Sequence, residues 1–162
     1  MEIITEHLTL RPIKYKDVTY LHKILSQHST QRFNDYEKGI TSTELRAWIQ
    51  WDIEQYLQKK GVRLAIIKDN EQLIGSIGIQ FASRFDAFLV SFELDENYRG
   101  YHYMQEALSA LQMYSKGIEW LRSKNWKAKI HVDNIAAINT VTNCGFHTYL
   151  RRLNNCYLIY SF

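Results

Sequence analysis

Proline and glycine are scarce, one and seven in 162 residues, and that scarcity excludes linker-rich, collagen-like and low-complexity architectures. Cysteine is scarcer than any disulfide scaffold allows. Cys144 and Cys156 are too few and too far apart for a disulfide framework or a Cys-x-x-Cys metal site, so both are expected to be reduced. No apolar run approaches the ~18 residues that a membrane span needs. Met1 to Glu6 has no basic region leading into an apolar stretch, so no secretory leader and a cytoplasmic location are expected. A strong charge of one sign is also missing: 20 basic against 17 acidic side chains leave +3. That weakly favours an anionic small ligand and argues against a nucleic-acid partner. The six histidines show no His-x-x-x-His spacing, and no metal is expected.

Apolar material is plentiful, with 46% hydrophobic residues, enough for a folded domain of this length to bury roughly 70% of the surface its unfolded chain exposes. One domain over residues 1–162 is expected. Alternation at Leu8, Leu10 and Pro12 predicts a strand, and Val18, Leu21, Ile24 and Leu25 predict an amphipathic helix from Lys16 to about Gln27. Ser29 to Ile40 is polar and aromatic and is expected to be a loop with a short turn. Thr41 and Glu44 form a capping box for a second helix that carries Trp48, Trp51, Ile53 and Tyr56 and is stopped by Gly61. Val62–Ile67, Leu73–Ile79 and Phe88–Leu94 predict an antiparallel meander. Met104 to Leu121 predicts one long helix, weakened at Gly117 by about 1 kcal/mol relative to alanine. A strand at Lys127–Val132, a short helix at Asn134–Asn143 closed by Gly145, and two strands around an Asn154-Asn155 type I′ turn complete the pattern. The class is α+β.

The segment with most chemical content runs from Leu94 through Tyr98-Arg99-Gly100-Tyr101-His102-Tyr103-Met104 into that long helix. A strand-to-helix loop offers unpaired backbone N–H groups and the positive end of the helix dipole, which together bind phosphate. Arg99 and His102 can add charge. The alternative is an ordinary turn.

Four stretches resemble the GCN5-related N-acetyltransferase (GNAT) superfamily, and within it the branch of ribosomal-protein and spermidine acetyltransferases: Thr5 to Pro12, Leu73-Ile74-Gly75, Leu94 to Leu108, and Asn134 to Phe146. The family's phosphate loop, Arg or Gln, two residues, Gly, one residue, then Gly or Ala, maps onto Arg99, His102 and Met104. Glu106-Ala107-Leu108 matches the branch. His102 stands where the family has its central glycine, so its side chain either crowds the phosphate or helps to hold it. The resemblance implies a mixed, mostly antiparallel, splayed sheet of about seven strands flanked by helices, the acyl-CoA N-acyltransferase fold. It also implies acetyl-CoA as cosubstrate, bound by Leu94, Arg99, Gly100, Tyr101, His102, Tyr103, Met104, Asn134 and Asn139. Tyr101 and Tyr103 either cover the adenine or shield the helix start, and Asn134 doubles as an N-cap.

By the same resemblance, a primary amine, on a protein N-terminus or a small molecule, attacks the thioester directly. The Leu94 N–H polarises the carbonyl and Glu93 relays a proton through water. The hydroxyl positions that relatives use read Ala137 and Val141, so no general acid is assigned. Trp48, Trp51 and the Phe33–Tyr36 loop either wall the acceptor pocket or fill the core. The apolar terminal strand Tyr157–Phe162 invites pairing into a homodimer. The rival expectation is a non-catalytic module of the same fold with a degraded cofactor loop.

Overall fold

The computed structural model describes residues 1–33, 39–69, 72–153 and 157–162. Strands β3 (Gly61–Lys68), β4 (Gln72–Ala82) and β5 (Ala87–Leu94) form the expected meander, with Gly61 opposite Gln80 and Gly75 opposite Leu94. Most of β3 and β4 is buried, because helices cover both faces of the sheet. β1 (Ile3–Ile4) and β2 (Thr9–Pro12) extend one edge, and β6 (Trp126–His131), β8 (Tyr157–Ser161) and β7 (His147–Leu153) the other, in the order β1-β2-β3-β4-β5-β6-β8-β7. Among the described residues the sheet therefore has eight strands, in keeping with the expected count of about seven. The extra one is Ile3–Ile4, too short to leave a periodic trace in the sequence.

One face is covered by α1 (Val18–Leu25), packed on β4, and α3 (Ser42–Leu57), packed on β3. The Thr41–Glu44 capping box forms as expected. Val18, Leu21, Leu25, Leu45 and Ile49 join Ile13 in a core between the two helices. The short α2 (His28–Gln31) lies in the segment expected to be a loop. The opposite face carries α4 (Tyr103–Ser115), whose Met104, Ala107, Leu108 and Leu111 pack with Leu64, Ile66, Ile77 and Ile79, together with α6 (Ile135–Asn143).

Three local expectations need correction. The long helix ends at Ser115 and resumes only as α5 (Glu119–Arg122), because Gly117 falls in a turn where Ile118 becomes the N-cap of the next segment. Gly61 does not stop α3, which ends at Leu57; it opens β3, where a Cβ would sit 1.8 Å from Gln80 Oε1. Strand β6 ends at His131, one residue short of Val132. Tyr36, the Asn154-Asn155 turn and Cys156 lie outside the described residues.

β5 and β6 are the only parallel neighbours among the described strands, and they pair over just three positions: Phe88 with Trp126, Leu89 with Lys127 and Val90 with Ala128. Beyond these β6 continues against β8 alone. At the far side of the sheet Asp17, 3% exposed, pins β2 to the start of α1. It accepts Arg11 Nη1 and Nη2 at 2.8 and 2.7 Å and the Lys14 N–H at 2.8 Å. Breaking a buried charge pair by truncating one partner is strongly destabilising. Because Arg11 keeps partial solvent access, Asp17→Ala is expected to lower stability by about 2–3 kcal/mol, measured as the shift in the urea unfolding midpoint at unchanged slope.

Candidate active site

The parting of β5 from β6 leaves main-chain groups without sheet partners. Phe88 N–H donates toward the β6 side, to Asn125 O, whereas Asp95 N–H donates toward β4, to Ile74 O. The β4–β5 register runs without a shift from Ala87 to Leu94, so strand alternation turns the N–H groups of Phe92 and Leu94 into the gap. A cavity of about 330 Å³ opens there. Its walls are Phe92, Glu93 and Leu94 from β5, the loop and first turn of α4 from Arg99 to Gln105 except Tyr101, the start of α6, and Ser29, Thr30 and Phe33 from the α2 region.

Of the residues that the sequence singles out, the cavity collects Glu93, Leu94, Arg99, Gly100, His102, Tyr103, Met104 and Asn134. His102 is the N-cap of α4 and holds φ 63°, a left-handed conformation, and Gly100 holds φ 85°. Histidine is among the non-glycine residues that tolerate this region, so the turn for which the sequence resemblance implies a glycine forms here with a side chain present. The His102 ring turns to Gln105, with Nδ1 3.2 Å from Oε1. Because the first main-chain bond into the helix is Glu106 N–H to His102 O, the N–H groups of Tyr103, Met104 and Gln105 have no helical acceptor and face outward at the helix start.

Arg99 is already engaged. Its Nε and Nη2 donate to Leu94 O at 3.2 and 3.1 Å, and Nη2 donates to Thr30 Oγ1 at 2.9 Å. Asn134 caps α6, its Oδ1 accepting the Ala137 N–H at 3.2 Å, which leaves its amide N–H₂ as the donor available to the cavity it lines. Two candidates fall outside. Tyr101 is 64% exposed and stacks on Tyr103 with ring centroids 5.7 Å apart, and Asn139 is exposed and does not line the cavity. Helical spacing explains the second: Ala136, Ala137 and Thr140 are the α6 residues that face inward.

Glu93 points to the α1/α3 face and meets a buried cluster. Arg63 Nη1 donates to Glu93 Oε1 at 3.1 Å and to Ser76 Oγ at 3.0 Å, Nε donates to Asp52 Oδ2 at 2.8 Å, and Nη2 donates to Ser91 Oγ at 2.9 Å. Ser76 Oγ also donates to Glu93 Oε1. Trp48 lies over the guanidinium, 4.5 Å from carbon to ring centroid. Burial pushes the Glu93 carboxyl above the usual carboxylate range and the Asp52 charge adds to that push, against the pull of Arg63 and the Ser76 hydroxyl. Burial likewise raises Asp52, against Arg63 and Gln80.

Sequence reasoning missed Arg63, Ser76, Thr30 and Thr140. A signal for the first two was present: Arg63, Ser76, Gly78 and Gln80 are polar or small positions on otherwise apolar inner strands. Of the aromatic candidates, Phe33 lines the cavity, 5.6 Å from the His131 ring, Trp48 packs on Arg63, and Trp51 is exposed.

Comparison with known proteins agrees with this architecture. Residues 7–147 match the model of the acetyltransferase (GNAT) domain family. The chain belongs to that family. Its fold is similar to that of RimL, a ribosomal L7/L12 alpha-N-protein acetyltransferase in complex with coenzyme A, with a TM-score of 0.83 and 21% identity over 100% of this chain and 97% of that one. It is similar to an acetyltransferase from Salmonella typhimurium that modifies the N-terminal serine of the 50S ribosomal subunit protein L7/L12 (0.82, 20% identity, 100% and 98% covered). It is also similar to the ribosomal-protein-S5-alanine acetyltransferase from Vibrio fischeri (0.82, 17% identity, 100% and 96% covered). No curated protein matches the chain in sequence.

The left-handed turn at position 102 sets the local chemistry and is open to test. A β-branched residue is a genuine outlier at positive φ. His102→Val is expected to lower the thermal midpoint, equivalent to about 1–2 kcal/mol of backbone strain. His102→Gly, free to take φ 63°, is expected to leave the midpoint nearly unchanged.

Proposed function

We propose that this protein transfers an acetyl group from acetyl-CoA to a primary amine, by direct attack of the amine on the thioester, in a cleft between β5 and β6. The observation that carries the proposal is the coincidence, in one cavity, of the Leu94 main-chain N–H with the free N–H groups that open α4. The fit to the cosubstrate is chemical. Three helix-start amides in a glycine-assisted turn suit a diphosphate, and the Asn134 amide suits the amide-bearing arm that follows it. Acetyl-CoA supplies an activated acyl carbon with a thiolate leaving group.

The chain's own residues then have defined tasks. Leu94 N–H, fixed by the register of β5 against β4, meets charge developing on the acyl oxygen, a contribution of typically ~3 kcal/mol for one such donor. Glu93 takes the proton that an ammonium must lose before attack. At pH 7 that loss costs an amine of pKa ~10.4 nearly 5 kcal/mol, and an α-amino group near pKa 8 only about 1 kcal/mol. A buried carboxylate with modest basicity therefore serves a peptide N-terminus better than a lysine side chain. The alpha-N-protein and N-terminal serine acetyltransferases of similar fold point the same way.

Among the described residues no thiol or hydroxyl stands assigned to protonate the departing thiolate. Thr140 lines the cavity, but its hydroxyl donates to Ala136 O at 2.9 Å. The second hydrogen of the attacking amine supplies that proton.

Binding of acetyl-CoA to the folded state alone is expected to raise the thermal midpoint. At ~100 times the dissociation constant the gain is about 2.7 kcal/mol, or roughly 5–10 °C for a chain of this size. Thiol release should follow with short peptides bearing a free N-terminus and should be slower with the same peptides acetylated at the α-amine but carrying lysine. No thermal shift at millimolar acetyl-CoA would count against the proposal and in favour of a non-catalytic module of the same fold.

A further inference from the structure

The cluster beneath Glu93 has, among the described residues, one cation for two carboxylates. Asp52 reaches it from α3, Arg63 from β3 and Glu93 from β5, with side chains 0%, 3% and 2% exposed. Glu93 Oε1 accepts both Arg63 Nη1 and Ser76 Oγ, whereas Oε2 accepts no hydrogen bond among the described residues. Gln80 Oε1 is the one sealed, partnerless side-chain polar atom among them. Oε2 is therefore not sealed, and Glu93 is a wall of the cavity. Asp52 is fixed in turn by Gln80 Nε2 at 2.7 Å.

We propose that Arg63 and Asp52 are positioning residues for amine deprotonation. Arg63 anchors Glu93 through Oε1 so that Oε2 faces the acceptor, and Asp52, by claiming the other edge of the same guanidinium, leaves the three charges with a net −1, which favours uptake of a proton by Glu93. This rests on the acetyltransferase function proposed above. A proton leaves the acceptor ammonium for Glu93 Oε2, directly or through one water. The freed nitrogen lone pair forms the C–N bond as the C–S bond breaks, one amine hydrogen stays on the amide, the other goes to the thiolate, and the Glu93 proton passes to solvent. The charge summed over Asp52, Arg63 and Glu93 goes from −1 to 0 and returns.

The other charged or titratable groups that line the cavity with Glu93 are Arg99, His102 and Tyr103, and buried Asp95 follows two residues along the chain. Lys23 of α1 acts on neighbouring Asp95. β4 contributes only the Ser76 hydroxyl, and the α6 wall holds Asn134, Ala136, Ala137 and Thr140, none of which titrates. Among the described residues Asp52 is thus the one further acidic side chain paired with the cation that holds Glu93.

The test is a titration of the Glu93 carboxyl carbon by ¹³C NMR, its resonance assigned by loss in Glu93→Gln, in the wild type and in Asp52→Asn and Ser76→Ala, beside pH profiles of kcat/KM and with circular dichroism as the check on folding. Removing the Asp52 charge takes away a like charge that disfavours ionisation of Glu93 and one of the claims on the guanidinium, so Asp52→Asn should move the midpoint down by about one pH unit or more. Removing a donor to the ionised form, as in Ser76→Ala, should move it up. The acidic limb of kcat/KM should follow each midpoint while the KM for acetyl-CoA stays constant. A midpoint that does not move in Asp52→Asn, or an acidic limb that stays put while the midpoint moves, overturns the proposal even though transfer continues. Failure of the acetyltransferase function itself would show separately, as no thiol release from any amine by the wild type, and the carboxyl titration would still decide whether Asp52 acts on Glu93.

Discussion

The structure depends on an interruption. β5 and β6 pair as parallel neighbours for three positions and then part. A parallel pair is joined by a crossover, not a hairpin, and here that crossover contains α4, so the start of the helix is delivered to the end of β5 where the strands diverge. Had pairing continued to Leu94, the N–H groups of Phe92 and Leu94 would be consumed by the ladder and the cavity would close. Because unpaired main-chain donors in a protein interior are costly, such a gap persists only where something polar, solvent or ligand, takes the bonds.

The two faces of the sheet respond differently. On the α4 side the inner strands present Leu64, Ile66, Ile77 and Ile79 to an apolar helix face, and packing holds the helix start in position. On the α1/α3 side the same strands present Arg63, Ser76 and Gly78. A Cβ on Gly78 would come within 3.2 Å of the guanidinium, so glycine there spares the arginine a tight contact. A buried charged cluster stabilises little compared with well-packed apolar groups. Its effect is on the orientation of Glu93 and on the charge beside the cavity.

What was legible in the sequence was local. The Thr41–Glu44 box, the β3–β5 meander, the strand-loop-helix from Leu94 to Met104 and the Asn134 cap all lie within a few residues of one another, and each forms. The break at Ser115 and the two-residue β1 were not legible, because a break at a glycine and a strand of two residues leave the hydrophobic period almost unchanged. The partners of Glu93 were hidden for another reason. Asp52, Arg63 and Ser76 come from three separate elements, and only the register, Ser76 opposite Glu93 and Gly78 opposite both Arg63 and Ser91, brings them together. The same holds for the Arg99–Thr30 bond, between residues 69 apart.

Position 102 shows how a departure from a family's pattern is accommodated. Glycine there would take φ 63° at no steric cost, and histidine takes it at a cost of order 1 kcal/mol. The conformation holds because its surroundings over-determine it: Met104, Ala107 and Leu108 are buried under the sheet, and Glu106 accepts the His7 N–H at 2.9 Å and approaches its Nδ1 at 3.0 Å, tying the first turn of α4 to the segment before β2. Burial pushes the Glu106 carboxyl up, but the bonds from Thr5 and His7 outweigh it and hold the group below its ordinary range, ionised at the positive end of the helix. Gly100, where a Cβ would meet nothing within 4 Å, leaves the approach to the helix start clear on the other side. The histidine ring turns toward Gln105, with Nδ1 3.2 Å from Oε1, so the side chain that replaces a hydrogen at this turn is tied to the helix it caps.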